Sequence, residues 1–351
     1  SVVLLVERRI LGGGASLARM RGNRTCGARP IPSIGRTIYR LLRALSSIRK
    51  IKATEMEGNL TMSSNGTFII DKNLGVRLDE EQTNLPKVNA EGKAVIPPTP
   101  EQKYLFDKDG WLLLPGVLSD AEISEMRRFC EQLHRDPESI PEIERSAIGG
   151  PLQSLTDHPI VVGFLNEFLA YPGLSNQVCY GFRQESANLL YREVGEGLFG
   201  PHNGNGMLRL PGDSHLYRCI PGKANSGLTR VVWELGPVIE GDGTLLISGS
   251  HKSVYPAPSD IQSPQSSIWD TYTCPAGSLM FFTEALTHSG RPWTNPEHPR
   301  AAIFSCYNTV NSRWHNWEPH PDLLAGMPAL RQTLYRSVHV ANNLVGGESP
   351  N

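Results

Sequence analysis

The sequence predicts a mainly β protein, a sandwich or barrel with a helical flank, from three observations. From residue 176 onward short apolar or β-branched runs recur: "QVCYGF", "ANLLYRE", "LTRVVWEL", "GTLLIS", "GSLMFFTE" and "RAAIFSCYN". Gly, Pro, Asn and Asp separate them, the pattern of many short strands joined by turns. The 34 Gly and 27 Pro among 351 residues favour strands and loops over a helix bundle. With 39% apolar and 20% charged residues, the chain can bury a sizeable core in one large domain or two small ones.

The elements follow in order. Residues 1–52 carry 12 of the 34 Lys and Arg but one of the 35 acidic residues, Glu7. This head, taken as 1–55, is Arg-rich, contains Ser and is poor in acid, which fits an organellar transit peptide. A nucleic-acid or membrane arm and a non-native extension are the other readings. The chain starts on Ser, and Met56 or Met62 would each serve as a start. The rest of the chain carries about −12, so no nucleic-acid partner is expected for it. Residues 56–100 are polar, with "TMSSNGT" and "VIPPTP", and read as a linker or loosely held arm. The ordered domain is taken as 101–335, and 336–351 as a tail. Within it "GWLLLPGVL" reads as a short buried strand ending in a Pro-Gly turn. Ser119 and Glu122 form a capping box, and Ile123, Met126, Cys130 and Leu133 recur at helical spacing, which predicts a helix over 120–135.

Several classes are excluded. The six cysteines form no CxxC pair, against a zinc site or a dense disulfide framework. A reducing, intracellular, cytoplasmic setting is expected, or an organelle if the head is a transit peptide. Asn59 and Asn65 head glycosylation triplets of the kind that arise by chance. No apolar run is long enough to span a membrane. There is no phosphate loop, nucleophile elbow or internal repeat.

Two histidines stand out by context. His202 lies in "PHNGNG" and His288 in "SLMFFTEALTHSGRPW", just after the most apolar run. Arg300 heads another apolar run, where a guanidinium is costly unless an anion meets it. Imidazoles bind iron(II), and a guanidinium holds a carboxylate through two parallel hydrogen bonds. Two histidines and a buried arginine are what an iron(II) centre with a dicarboxylic co-substrate needs.

The segments "FDKDGWLLLPGVLSDAEI", "GDGTLLISGSHKS" and "FFTEALTHSGRPW" followed by "HPRAAIFSCYN" resemble, in family order, the phytanoyl-CoA dioxygenase family. The likeness spans about residues 101–320. It implies a double-stranded β-helix, the jelly-roll or cupin-like oxygenase core, and the cofactors iron(II), 2-oxoglutarate and O2. It maps His202 and His288 onto the two histidine ligands and Arg300 onto the arginine that grips the far carboxylate of 2-oxoglutarate. Tyr217 and Ser289 join Arg300 as expected co-substrate contacts. The implied activity is oxygenation of a C–H bond of a small organic substrate, by hydroxylation.

The chain departs from that pattern where the family carries His-x-Asp. Residues i and i+2 of a strand share a face, so both side chains reach one metal. Here the third position is Gly204, which offers no ligand. Four explanations stand. A chloride fills the position, as in iron/2-oxoglutarate halogenases. A carboxylate arrives from elsewhere: Glu284, if "ALT" bends instead of running about 13 Å straight to His288, or Asp213. Two histidines and the co-substrate hold the metal alone, with water. Or the site is dead and the barrel only binds something.

Other residues have plainer readings. Trp233 and Trp293 are expected in the core or pocket wall, Arg230 as an ordinary strand residue with a place in the co-substrate pocket as its alternative, and His251 as a loop residue bonded to backbone. Asp107 and Asp109 read as turn formers. "SRWHNWEPHP", with Trp314, His315, Trp317 and His320, reads as a capping loop, with metal binding as its alternative. A non-catalytic jelly-roll binding module is the rival from another class. A cupin-like hydrolase or isomerase would need a third firm ligand and would not use Arg300. An oxygenase expects His202, His288 and Arg300 to converge on one interior point with a metal there, and a binding module expects at least one of the three turned outward.

Overall fold

The computed structural model describes residues 85–339, apart from 204–214, 221, 254, 256 and 261. The basic head, Asn59, Asn65, Gly204, Asp213 and residues 340–351 of the tail lie outside the described residues.

The flank comes first. Helix α1 (Pro100–Asp109) opens on a capping box of Thr99 and Gln102. It ends at Gly110, with φ of 83°, where an added Cβ would lie 2.4 Å from His251 Nδ1. Asp107 and Asp109 are therefore in the last turn of a helix, not in a free turn. Strand β1 (Trp111–Leu114) follows, then helix α2 (Asp120–Arg135) with the expected Ser119–Glu122 box. Met126 and Cys130 of α2 are buried as the spacing predicts. Losing the Ser119 hydroxyl leaves the Glu122 N–H without its side-chain acceptor. Ser119→Ala should lower unfolding free energy by about 1 kcal/mol, read as a shift of the urea midpoint at constant slope. Helix α3 (Pro159–Phe168) is apolar nearly all round and sits in the core.

The remaining elements are β2 (Phe182–Arg192), the hairpin β3 (Arg218–Ile220) and β4 (Lys223–Asn225), β5 (Thr229–Glu234), β6 (Leu245–Leu246), β7 (Ser278–Thr283), β8 (His288–Ser289), β9 (Arg300–Thr309), α4 (Pro321–Gly326) and α5 (Ala329–Gln332). "QVCYGF" is not a strand of its own. Asn176 and Cys179 close a turn, and β2 starts at Phe182.

Strands β1-β7-β5-β9-β2 form one antiparallel sheet in that order. β6 and β8 form a second layer, widened by the rungs His202↔His288 and Leu246↔Asp270. Period-2 alternation sorts the large sheet into two faces. Val231, Trp233, Phe281 and Ile303 pack outward on the helices, where Phe164 stacks on Phe281 at 3.8 Å between ring centroids. Val232, Met280, Phe282 and Ala302 face inward on Leu246, Tyr272 and Leu286 of the second layer. This is the double-stranded β-helix.

Residues 85–99 are not a loose arm. Asp157, fully buried, fastens them. Its Oδ2 accepts from Ala90 N at 3.1 Å and from the Tyr180 hydroxyl at 2.9 Å, while Arg331 Nε of α5 donates to Oδ1 at 2.8 Å. Arg331 also reaches Glu91 at 2.9 Å.

Candidate active site

His202 and His288 are directly opposite on one rung and exchange both backbone hydrogen bonds, at 3.0 and 2.9 Å. Their side chains therefore share a face, with ring centroids 4.2 Å apart. Leu246, opposite His288 on the other side, belongs to the inward core, which fixes that face as the interior. His288 is buried against Phe282, with ring centroids 4.8 Å apart, and His202 is exposed at the mouth. In both rings Nδ1 lies 2.8 Å from the carbonyl two residues earlier, Gly200 for His202 and Leu286 for His288. A carbonyl only accepts, so the proton sits on Nδ1 and Nε2 keeps its lone pair. Burial holds the His288 imidazolium down to about 4, against the pull of Glu284, so the ring is neutral near pH 7. These are two imidazoles in ligand form.

Glu284 is brought beside them because "ALT" bends. Leu286 N bonds back to Thr283 O at 2.9 Å, and Thr283 Oγ1 accepts from Ala285 N at 3.2 Å. Glu284 Oε2 ends 3.9 Å from His288 Nε2. The carboxylate is nevertheless engaged elsewhere: Arg230 of β5, expected to be an ordinary strand residue, donates from Nε to Oε1. Burial pushes the Glu284 carboxyl up, but Arg230 with the two histidines outweighs it and brings it down to about 2. Among the described residues no three His, Cys, Asp or Glu side chains group to hold a metal ion. The bend that the Glu284 expectation required is present: Oε1 is held by Arg230, and Oε2 faces His288 Nε2 beside the histidine pair.

Arg300 heads β9 with its side chain inward, its guanidinium 5.5 Å from the Phe304 ring centroid. The anion it meets belongs to the protein. Glu234 of β5 accepts from Arg300 Nε at 3.2 Å and from Nη2, and from the Tyr272 hydroxyl at 2.7 Å. Arg300 Nη2 also reaches Thr244 Oγ1 at 3.2 Å and the Tyr272 oxygen at 3.3 Å. Arg300 and Glu234 are 2% and 1% exposed. Burial disfavours the guanidinium charge, and Glu234 more than restores it. The two histidines and Arg300 face one interior, but at two levels instead of the single point expected. Arg230 and Glu234 mark those levels, about 13 Å apart along β5.

Two expected co-substrate contacts are corrected. Ser289 follows His288 in a strand and points to the opposite face. It pairs with Leu245, which packs outside on Trp269, and its hydroxyl accepts from Gly200 N at 2.9 Å. It thereby braces the segment carrying His202. Tyr217 packs on Phe106 and His251 outside the interior and donates to Asp107 at 2.8 Å. His251 is the backbone-bonded loop residue expected, with Nε2 3.1 Å from Asp107 O. Trp293 is buried in the inward core.

The 312–321 loop is tied down by an anion. Glu185, buried at a bulge of β2, accepts from Trp314 N at 2.9 Å and Asn308 Nδ2 at 2.9 Å, with His315 Nδ1 at 3.3 Å. His320 caps α4, accepting from Asp322 N at 3.2 Å. Glu185, Glu234, Thr244 and Tyr272 were not foreseen. The signal for Glu234 was there, an acid inside "VVWELG".

No family model matches the chain. Over 255 residues it is 25% identical to the L-proline trans-4-hydroxylase of Streptomyces griseoviridis, covering 65% of this chain and 91% of that protein. HygX from Streptomyces hygroscopicus, solved with nickel and 2-oxoglutarate bound, superposes with a TM-score of 0.50 at 20% identity, covering 64% of this chain and 94% of HygX. EctD from S. alaskensis gives a TM-score of 0.46 at 18% identity, with 67% and 84% covered. Among the described residues no helix is long and apolar enough to cross a membrane. The chain therefore shares the jelly-roll fold of HygX and is related in sequence to a hydroxylase.

Proposed function

We propose that the protein is an iron(II)/2-oxoglutarate-dependent oxygenase that hydroxylates a C–H bond of a small organic substrate. The observation that carries this reading is the His202–His288 rung, where two imidazoles share an inward face, each with Nδ1 on a backbone carbonyl 2.8 Å away. That donor set fits iron(II), leaving further positions for co-substrate, oxygen and water. His202 and His288 would hold the metal. Arg300, Tyr272 and Thr244 offer the hydrogen-bonding groups that a far carboxylate uses. When bound, iron(II) with 2-oxoglutarate and oxygen supplies the oxidising power that breaks the C–H bond.

The protein's part is aim and dryness. Gly200 O and Leu286 O lock the two rings, and Phe282 packs on His288. Arg230 keeps the Glu284 carboxylate ionised beside the histidine pair, with Oε1 on the guanidinium and Oε2 toward His288 Nε2. The resemblance to the phytanoyl-CoA dioxygenase family, with His-x-Gly for His-x-Asp, belongs to this proposal, as does hydroxylation, which the name of the L-proline trans-4-hydroxylase supports. Halogenation is the second reading, and Gly204 favours it.

The test is anaerobic. Iron(II) and a 2-oxo acid, 2-oxoglutarate or 2-oxobutyrate, added to the protein should give a weak visible charge-transfer band that His288→Ala lacks. No band would leave a binding module. A band that shifts on adding chloride would place a halide at the iron and favour halogenation. A band indifferent to chloride favours hydroxylation.

A further inference from the structure

The Arg300 berth already contains a carboxylate. Glu234 takes the guanidinium from Nε and Nη2 and the Tyr272 hydroxyl at 2.7 Å, in a site where neither charged side chain sees solvent. This is the side-on, two-point arrangement that a dicarboxylic ligand's far end would make with the same arginine. Arg300 has one such edge turned to Glu234, and its Nη2 is shared with Thr244 and Tyr272 as well. A second carboxylate brought to this guanidinium would meet Glu234 as a like charge in a buried place, where such pairs repel strongly. We infer that Glu234 is a specificity-determining residue of the co-substrate site: it competes with the far carboxylate of 2-oxoglutarate for Arg300 and weakens the preference for dicarboxylic over monocarboxylic 2-oxo acids. The inference rests on the functional reading above.

The competition has a direction that a structural role alone would not have. A Glu234 that only held the sheet together would, on substitution, weaken every ligand alike or none. A Glu234 that competes would, on losing its charge, release Arg300 to ligands with a far carboxylate and to no others. Glu234→Gln keeps the volume and the Tyr272 hydrogen bond and removes the charge. A charge-assisted contact of this kind is worth on the order of 10- to 100-fold in affinity.

The experiment compares 2-oxoglutarate with 2-oxobutyrate, which lacks the far carboxylate, in wild type and Glu234→Gln. Affinity is read anaerobically from the charge-transfer band, and independently from the ligand-induced rise in Tm of the nickel(II)-loaded protein. In wild type 2-oxoglutarate should bind less than about tenfold tighter than 2-oxobutyrate. In Glu234→Gln 2-oxoglutarate should tighten by about tenfold or more while 2-oxobutyrate stays within about twofold. A wild-type preference for 2-oxoglutarate above about tenfold overturns the inference without any variant, as does equal tightening of both acids or of neither. If 2-oxobutyrate binds the metal-loaded wild type and the discrimination fails, the inference alone falls. If neither acid binds, the oxygenase reading falls with it.

Discussion

His288→Ala should abolish iron-dependent binding of any 2-oxo acid and lower turnover by more than about 100-fold. The bound follows from the second rank of contacts. Removing a group that merely orients a metal-bound histidine typically costs 10- to 100-fold, so removing the imidazole itself must exceed that range. The variant should still fold: His288 contributes two backbone hydrogen bonds to the rung, which alanine keeps, and its ring packs mainly on Phe282 and His202. Circular dichroism and Tm check the fold, and the charge-transfer titration checks the metal. Wild-type-like ligand binding in a folded His288→Ala protein would remove His288 from the centre.

Arg300→Met should lower Tm by roughly 10 °C. Removing one partner of a buried ion pair leaves the other charge without compensation, which costs about 3–5 kcal/mol, and a domain of this size loses roughly 2–4 °C per kcal/mol. Glu234 would then keep only the Tyr272 hydroxyl as a donor among its contacts described here. The double variant Arg300→Met with Glu234→Leu should regain at least half of that loss, because the desolvation cost disappears along with the attraction. Thermal unfolding of the single and double variants closes the cycle. A single variant within about 1 kcal/mol of wild type would show that Glu234 and Arg300 do not depend on each other.

The sequence was most legible where local rules decide. The Ser119–Glu122 box and the Ile123–Met126–Cys130 spacing set α2 to the residue, and the β-branched runs located the long strands. Helix α3 was missed because "PIVVGFLNEF" is too uniformly apolar to show a period. In the site, the histidines were legible from their surroundings and their charged neighbours were not. Arg230 and Glu284 are 54 residues apart and Arg300 and Glu234 are 66 apart, and adjacency across a sheet depends on strand order. A buried Arg300 demands an anion, and the same rule applied to Glu234 pairs the two. Ser289 could have been set aside in advance, since a residue next to His288 in a strand cannot share its face.

The Asp157 clasp bears on where this domain begins. Motif likeness starts near residue 101, yet the carboxylate that Arg331 needs also holds Ala90, and Arg331 reaches on to Glu91. The stretch before the first helix and the last described helix are thus two ends of one knot. Shortening the chain to its recognisable motifs would untie both ends together, so the smallest piece that folds is longer than the piece that can be recognised.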